Sequence, residues 1–322
     1  METSIAQGWM WAGFVGFVIA MLAIDMVALG GSKPRKVGIK EAAYWSLTWF
    51  ALAMLFNFLL WWQVDSTMGR EIANTKAMEF FTGYLIEKSL SVDNLFVFLT
   101  IFSYFAIPPE HQRRVLIYGV LGAIALRAIM IMAGILLVQQ FAWILYVFGI
   151  FLVVTGIKML LYADRQPDIS KNPLLNLMRR HLRMTDTLQG EKFVVWKDGV
   201  RYFTPLFAVL VMIEISDVVF AVDSIPAIFA VTTDPFIVFT SNIFAILGLR
   251  ALYFLLADMS DRFHLLKYGV AIVLIFVGVK LGVSYWYHVP VLMSLCFIAL
   301  ILAVSIVASM KLPKPGLKQN PL

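Results

Sequence analysis

Two acidic motifs lie in stretches of the chain that are otherwise apolar, and the two motifs resemble each other. The first is EKSLSVDN at residues 87–94, and the second is EISDVVFAVDS at residues 214–224. Aligning their VDN and VDS ends pairs Glu87 with Asp217, so each motif carries acids six residues apart. An ionised group at the centre of a bilayer costs about 2.5–3.5 kcal/mol on insertion scales. Acids that recur there in both halves of a chain predict a functional site.

The donor atoms around both motifs are oxygen. Hard divalent cations such as Mn²⁺, Mg²⁺ and Ca²⁺ prefer carboxylate, amide and hydroxyl oxygens, whereas Cu⁺ and Zn²⁺ favour sulfur or imidazole. All four histidines fall in predicted loops or at the ends of predicted spans. We therefore predict a site for a hard divalent cation. Its candidate ligands are Glu87, Ser91, Asp93, Asn94, Glu214, Ser216, Asp217, Asp223 and Ser224.

Helix geometry predicts that one face cannot hold all of these acids. Glu87 and Asn94 are spaced i, i+7 and share a face, whereas Asp93 points about 120° away from Glu87. Helices that cross at a shared cavity would bring both faces together, and so would a helix that unwinds near Asp223. Pro226 favours unwinding in the second motif because proline cannot donate the i→i−4 hydrogen bond.

Three further charged residues lie in apolar segments outside the two motifs. Arg127 and Arg250 are the predicted charge partners, because an uncompensated group of carboxylates would be protonated rather than ionised. A purely structural arginine–carboxylate pair is the alternative. Asp25 is a further intramembrane acid at the inner end of the first span. It would line the path of the ion or be solvated at the helix end.

The composition predicts an all-α polytopic membrane protein. The chain is 61% hydrophobic and 14% charged, with a mean hydropathy of +0.84. Apolar runs of about 20 residues, the length that crosses a bilayer, recur throughout. A single cysteine excludes an internal disulfide. The net charge of +6 is better explained by positive loops than by nucleic acid. About nine spans are predicted, at 8–30, 43–62, 77–105, 114–138, 141–162, 203–230, 235–257, 266–286 and 289–310.

Basic residues concentrate in alternate loops, which predicts the orientation by the positive-inside rule. The N-terminus is predicted outside and the C-terminus in the cytoplasm. Within this topology residues 163–202 form a cytoplasmic loop, with an amphipathic helix at 174–184 and a β-hairpin at 193–203 around an Asp-Gly turn. The predicted division of the chain is 1–76, 77–162, 163–202, 203–287 and 288–322.

Residues 77–162 and 203–287 are predicted to be two inverted repeats of three spans each. After the first motif come Gly122 and Arg127, and after the second come Gly248 and Arg250. Because three is an odd number of crossings, the second copy must insert upside down. Inverted repeats with an ion site between the copies are a recurrent architecture of secondary transporters.

Three long segments resemble the TerC family of integral membrane proteins, over nearly the whole chain. They are residues 83–94, residues 214–227 and the run SNIFAILGLR at 241–250. The branch most similar to this chain has members described as membrane-bound redox modulators. The resemblance implies manganese export across the bacterial inner membrane, with the paired acidic motifs as the metal path. The family name also refers to tellurium resistance, although an anion such as tellurite fits carboxylates poorly.

Two functions are therefore considered. The first is a transporter that exports Mn²⁺, with protons exchanging on the same carboxylates. The second is a membrane sensor or scaffold for metal, pH or redox responses that acts through residues 163–202. Neither is an enzyme, and neither requires a tightly bound cofactor. The expected partners are the metal ion and the lipid bilayer.

Overall fold

The computed structural model describes residues 4–28, 38–141, 143–162, 173–185, 187–197, 199–259, 265–283 and 289–312. These residues form a helical bundle with one small hairpin. The first five helices are α1 (Gly8–Ala28), α2 (Ile39–Met68), α3 (Arg70–Tyr104), α4 (Pro109–Gln140) and α5 (Ile144–Tyr162). Then follow α6 (Pro173–His181), β1 (Val194–Lys197) and β2 (Val200–Phe203). The last helices are α7 (Pro205–Phe229), α8 (Pro235–Leu247), α9 (Leu249–Met259), α10 (Leu266–Val283) and α11 (Val291–Lys311).

The predicted polytopic helical fold is confirmed. Within the described residues, six helices are long and apolar enough to cross a membrane, and α8 with α9 would make a seventh as one bent span. The other two predicted spans correspond to α1 and α3. The described apolar part of α1 is short, and α3 carries the charged residues of the first acidic motif. The count of nine crossings stays a prediction.

Contacts between the two predicted repeats occur in reciprocal pairs. Helix α3 packs on α8 as α7 packs on α4, and α3 packs on α10 as α7 packs on α5. The like pairs α3–α7, α4–α8 and α5–α10 also touch. Two three-helix units related by a two-fold axis would produce this pattern. Their relation as inverted repeats therefore stays a prediction that the contacts favour.

Close backbone packing joins the last helices of the two units. A Cβ atom on Gly149 of α5 would lie 2.8 Å from the carbonyl oxygen of Gly278 in α10. In the reverse direction, a Cβ on Gly278 would lie 2.6 Å from the carbonyl oxygen of Gly149. Both positions require glycine because the helix backbones touch, which fixes α5 against α10.

Polar contacts at one end of the bundle join three separate parts of the chain. Asp234, the N-cap of α8, accepts hydrogen bonds from the backbone N–H of Ile5 at 2.9 Å and of Phe236 at 2.9 Å. The Thr232 hydroxyl donates to Glu79 near the start of α3 at 2.7 Å. The N-terminal segment, the start of α3 and the α7–α8 connection therefore lie together.

The described part of the predicted cytoplasmic loop folds against the opposite ends of α4 and α7. Helix α6 ends at His181, three residues before the predicted end of that helix at residue 184. The hairpin prediction is confirmed, since β1 and β2 pair antiparallel from Val194 opposite Phe203 to Lys197 opposite Val200. Its anchor is Glu191, whose carboxylate lies 3.3 Å from Arg114 at the start of α4.

The predicted unwinding near Asp223 is wrong. Helix α7 continues through Pro226 to Phe229 and is not broken at the proline. The missing N–H affects one hydrogen bond close to the end of the helix, and Pro226 is itself buried there. The break falls instead at Gly248, where α8 and α9 meet at an angle of 41°.

Candidate functional site

A buried arginine lies between carboxylates from both predicted repeats. Arg127 is 1% exposed on α4, and its Nη1 donates to Glu87 Oε1 of α3 in a short contact. The same nitrogen donates to Asn242 Oδ1 of α8 at 3.0 Å. Nη2 donates to Asp217 Oδ1 of α7 at 3.3 Å. We call these four residues the Arg127 node, and it ties α3, α4, α7 and α8 together.

Several buried oxygens on the two acidic helices have no hydrogen-bond partner in the protein. They include Glu87 Oε2 and Ser91 Oγ on α3 and Asp217 Oδ2 and Ser224 Oγ on α7. Buried polar atoms in folded proteins are nearly always paired. The two helices touch each other, and each contributes at least one carboxylate oxygen and one hydroxyl. This is the donor chemistry that a hard cation uses.

Glu214 lies on the same helix as Asp217, one turn earlier, and its carboxylate presses against α4. It occupies the space that a Cβ atom on Gly122 would need. Glu214 Oε2 is also buried without a hydrogen-bond partner in the protein. Gly122 is therefore needed for space, because any side chain there would displace the carboxylate.

Asp223 lies apart from the node, in a cavity on another side of α7. The cavity has a volume of about 260 Å³ and is also lined by Asn94 of α3 and by Thr155 and Lys158 of α5. The Thr155 hydroxyl donates to Asp223 Oδ1 at 3.4 Å. Asp223 is half-buried, so this carboxylate is more accessible than those of the node. We call this space the Asp223 pocket.

The structure thus divides the predicted ligands between two places. Glu87 and Asp217 meet at Arg127, whereas Asn94 and Asp223 line the pocket. The Ser216 hydroxyl is used within α7, since it donates to the Met212 carbonyl at 2.7 Å. Among the described side chains, no three His, Cys, Asp or Glu groups stand close enough to form a metal site alone.

Three of the predicted residues add little to this geometry. The side chains of Asp25 and Asp93 lie outside the described part of the chain, although their backbones belong to α1 and α3. Arg250 is buried, with 4% of its surface exposed, and belongs to α9 beyond the bend.

Sequence reasoning missed several polar partners. Asn242 and Thr155 complete the node and the pocket, but an uncharged polar residue in an apolar helix carries a weak signal. A second buried group also lies near the start of α3, where Lys76 pairs with Glu79 at 3.1 Å. The Thr232 hydroxyl closes that group. The sequence could have predicted this ion pair, because two opposite charges three residues apart on one helix precede the first motif.

Fold and site together define a polytopic helical membrane protein with a buried charged centre between α3, α4, α7 and α8. A family model described as "Integral membrane protein TerC family" matches residues 72–315. The chain belongs to the TerC family.

Relatives from several bacteria match almost the whole chain. A protein of Escherichia coli strain K12 is 56% identical over 286 residues, which are 89% of each chain. One from Photorhabdus laumondii is 51% identical over 317 residues, covering 98% of this chain and 99% of its own. Both are named "Putative membrane-bound redox modulator Alx". A Myxococcus xanthus relative, 48% identical over 312 residues with 96% and 95% coverage, is named an uncharacterized membrane protein. No solved structure matches.

Proposed function

We propose that this protein exports a hard divalent cation, Mn²⁺ foremost, across the bacterial inner membrane. The observation that carries the proposal is the interface of α3 and α7. There Glu87 and Asp217 each give one oxygen to Arg127 and keep a second buried oxygen without a protein partner. One carboxylate from each half of the molecule thus keeps an oxygen that can coordinate a cation.

The charge balance of the node favours a cation. Arg127 offsets one of the two negative charges on Glu87 and Asp217, and Glu214 adds a third carboxylate beside Gly122. Each unpaired charge in a low-dielectric interior costs roughly several kcal/mol of folding free energy. A bound cation would offset the remaining negative charge, and protons on the same groups would offset it when the ion has left. The proposal therefore includes exchange of Mn²⁺ for protons.

The Asp223 pocket supplies the accessible step of the proposed path. Asp223 and Asn94 bring a carboxylate and an amide oxygen to one cavity, and Asn94 lies on the same α3 face as Glu87. An ion that enters the pocket could pass along α3 toward the buried oxygens of the node. Export, rather than uptake, is the direction that the resemblance to the TerC family implies. The protein is proposed to act as a transporter and not as an enzyme.

Mn²⁺ flux in proteoliposomes tests the proposal. Wild type should move Mn²⁺ into or out of the vesicles at a rate that depends on a pH gradient. Asp223→Asn and Asp93→Asn should abolish the flux, because the amide keeps the shape of the acid and loses its charge. The matched control is Asp65→Asn, since Asp65 pairs with Arg70 at an exposed helix end, 2.8 Å away. Flux through both variants at the wild-type rate would refute the proposal.

A membrane sensor or scaffold is the second candidate function. The observation in its favour is that the region around α6 and the hairpin is folded against the bundle rather than unattached. Phe193 packs edge-to-face on Tyr118 of α4, with ring centroids 5.2 Å apart, beside the Arg114–Glu191 pair. This region could pass a signal from α4. This function is a non-transporting one. Replacing residues 173–203 with a short flexible linker should then abolish the cellular response, whereas Asp93→Asn and Asp223→Asn should be tolerated.

A further inference from the structure

Lys88 directly follows Glu87 in α3, but the two side chains contact different residues. Its Nζ donates to the backbone carbonyl of Ala245 in α8, at 3.3 Å. This hydrogen bond therefore connects the first predicted repeat to the second, and it lies next to the Arg127 node. Few residues in an apolar bundle carry a full positive charge, so the location of this one calls for a physical reason.

The reason lies in the bend between α8 and α9. Carbonyls in the last turn of a helix lack the N–H partners that a continuing helix would supply, and they carry a partial negative charge. Ala245 belongs to that last turn, two residues before α8 ends at Leu247. A lysine ammonium placed there satisfies a carbonyl and balances the helix dipole. Lys88 therefore stabilises the bent form of this span.

Gly248 leaves room for the ammonium at the bend. A Cβ atom on Gly248 would lie 2.6 Å from Lys88 Nζ and 3.2 Å from the Cβ of Trp49 in α2. The backbone there has φ −84° and ψ 0°, and this negative φ does not demand glycine. A side chain at this position would therefore displace the end of Lys88 and press on Trp49.

The same bend is connected to the node. Asn242 lies three residues before Ala245 in α8 and accepts from Arg127, while Glu87 precedes Lys88 in α3 and accepts from Arg127 as well. Neighbouring residues of α3 thus hold Arg127 and the bend at once. A change in the angle of α9 would be transmitted to the node through Lys88 and Asn242.

We propose that Lys88 is a positioning residue that holds the α8–α9 bend through the Ala245 carbonyl and keeps the Arg127 node in register for transport. Its transport readout rests on the proposed export of Mn²⁺. Its structural readout does not, because the bend can be followed without any ion.

Three variants and one control test this role. Lys88→Met removes the ammonium and keeps the length of the side chain, while Lys88→Arg keeps a charged donor. Gly248→Ala displaces the ammonium without changing it. Gly119→Ala is the control, since its Cβ would meet Ile213 at an ordinary 3.4 Å. Each protein is measured for Mn²⁺ flux in proteoliposomes and for hydrogen–deuterium exchange of the amides in residues 245–252.

Loss of the ammonium should slow maximal flux on the order of tenfold, the size of effect that one hydrogen bond from a charged donor produces. The half-saturating Mn²⁺ concentration should change little, because a positioning residue does not contact the ion. Exchange at 245–252 should quicken in Lys88→Met and Gly248→Ala. It should stay near wild type in Lys88→Arg and Gly119→Ala. The double variant Lys88→Met/Gly248→Ala should be no worse than either single variant.

Wild-type flux and wild-type exchange in Lys88→Met would overturn the proposal, and so would additive effects in the double variant. Should Lys88→Met not fold, the comparison of Gly248→Ala with Gly119→Ala decides in the same way. If the wild type carries no Mn²⁺, the proposed function fails, and the exchange rates alone then support or refute the role of Lys88.

Discussion

The Arg127 node and the Asp223 pocket are built on the same pair of helices, yet they are opposite kinds of acidic site. In the node, Glu87, Arg127 and Asp217 are each no more than 3% exposed and are paired with one another. In the pocket, Asp223 is half-buried beside an open volume of about 260 Å³, and Thr155 holds it by one long hydrogen bond.

The difference teaches that acids in one motif can have separate tasks. A fully buried pair costs much to break, because the remaining partner keeps an uncompensated charge. A half-buried acid with a weak partner can exchange that partner for an ion at little cost. We therefore expect the node to control stability and the pocket to control ion entry, and the predictions below test this separation.

The largest effect is expected at Arg127. Arg127→Met would leave Glu87 and Asp217 buried without their shared cation, at a cost of about 3–5 kcal/mol. We expect little folded protein in the membrane and a markedly lower thermal unfolding temperature in detergent. Arg127→Met combined with Asp217→Asn should recover part of the loss because one unpaired charge is gone. An unfolding temperature equal to wild type in Arg127→Met would remove the distinction between node and pocket.

Asp223→Asn should have the next largest effect, on transport alone. The pocket loses its carboxylate, so Mn²⁺ flux should be abolished, a loss beyond the roughly 10–100-fold produced by changing groups that only support a metal site. The unfolding temperature should stay near that of wild type, since no buried charge is left unpaired. Flux and unfolding are measured on the same purified sample. Equal loss of both would show that Asp223 is structural.

The separation of node and pocket was only partly predictable from the sequence. The six-residue spacing indicated that Asp217 and Asp223 face different ways, because 100° per residue is fixed by the helix. Which neighbour each acid meets depends on helix packing. Asn242 joins the node from α8, and Thr155 joins the pocket from α5, and neither carries a charge that would have marked it in an apolar run.

Helix positions were predictable and the break in a helix was not. Long apolar runs predicted the helices, although α2 and α3 begin several residues before the predicted spans, and the Asp-Gly pair predicted the hairpin. The break was assigned to Pro226 from local hydrogen bonding. It occurs at Gly248, where the ammonium of Lys88 and the ring of Trp49 fill the space beside the backbone. Those contacts come from α3 and α2, which lie far away in the chain.

Thr155→Val should have a smaller effect within the pocket. It removes the hydroxyl that donates to Asp223 and keeps the shape of the side chain. One hydrogen bond is worth about 0.5–1.5 kcal/mol, so the half-saturating Mn²⁺ concentration should change about two- to tenfold. Maximal flux and stability should be unchanged. A fall in maximal flux at constant half-saturation would instead indicate that Thr155 acts on a conformational step.

The smallest effect is expected outside both sites, at the anchor of the hairpin region. Glu191→Gln removes the ion pair with Arg114, whose side chains are 28% and 39% exposed. Exposed pairs contribute about 0–1 kcal/mol, so the unfolding temperature should hardly change, and Mn²⁺ flux should equal that of wild type. Arg114→Gln is the matched variant from the other partner. A loss of flux in both variants at unchanged stability would mean that the hairpin region regulates the transport path, so that node and pocket do not work alone.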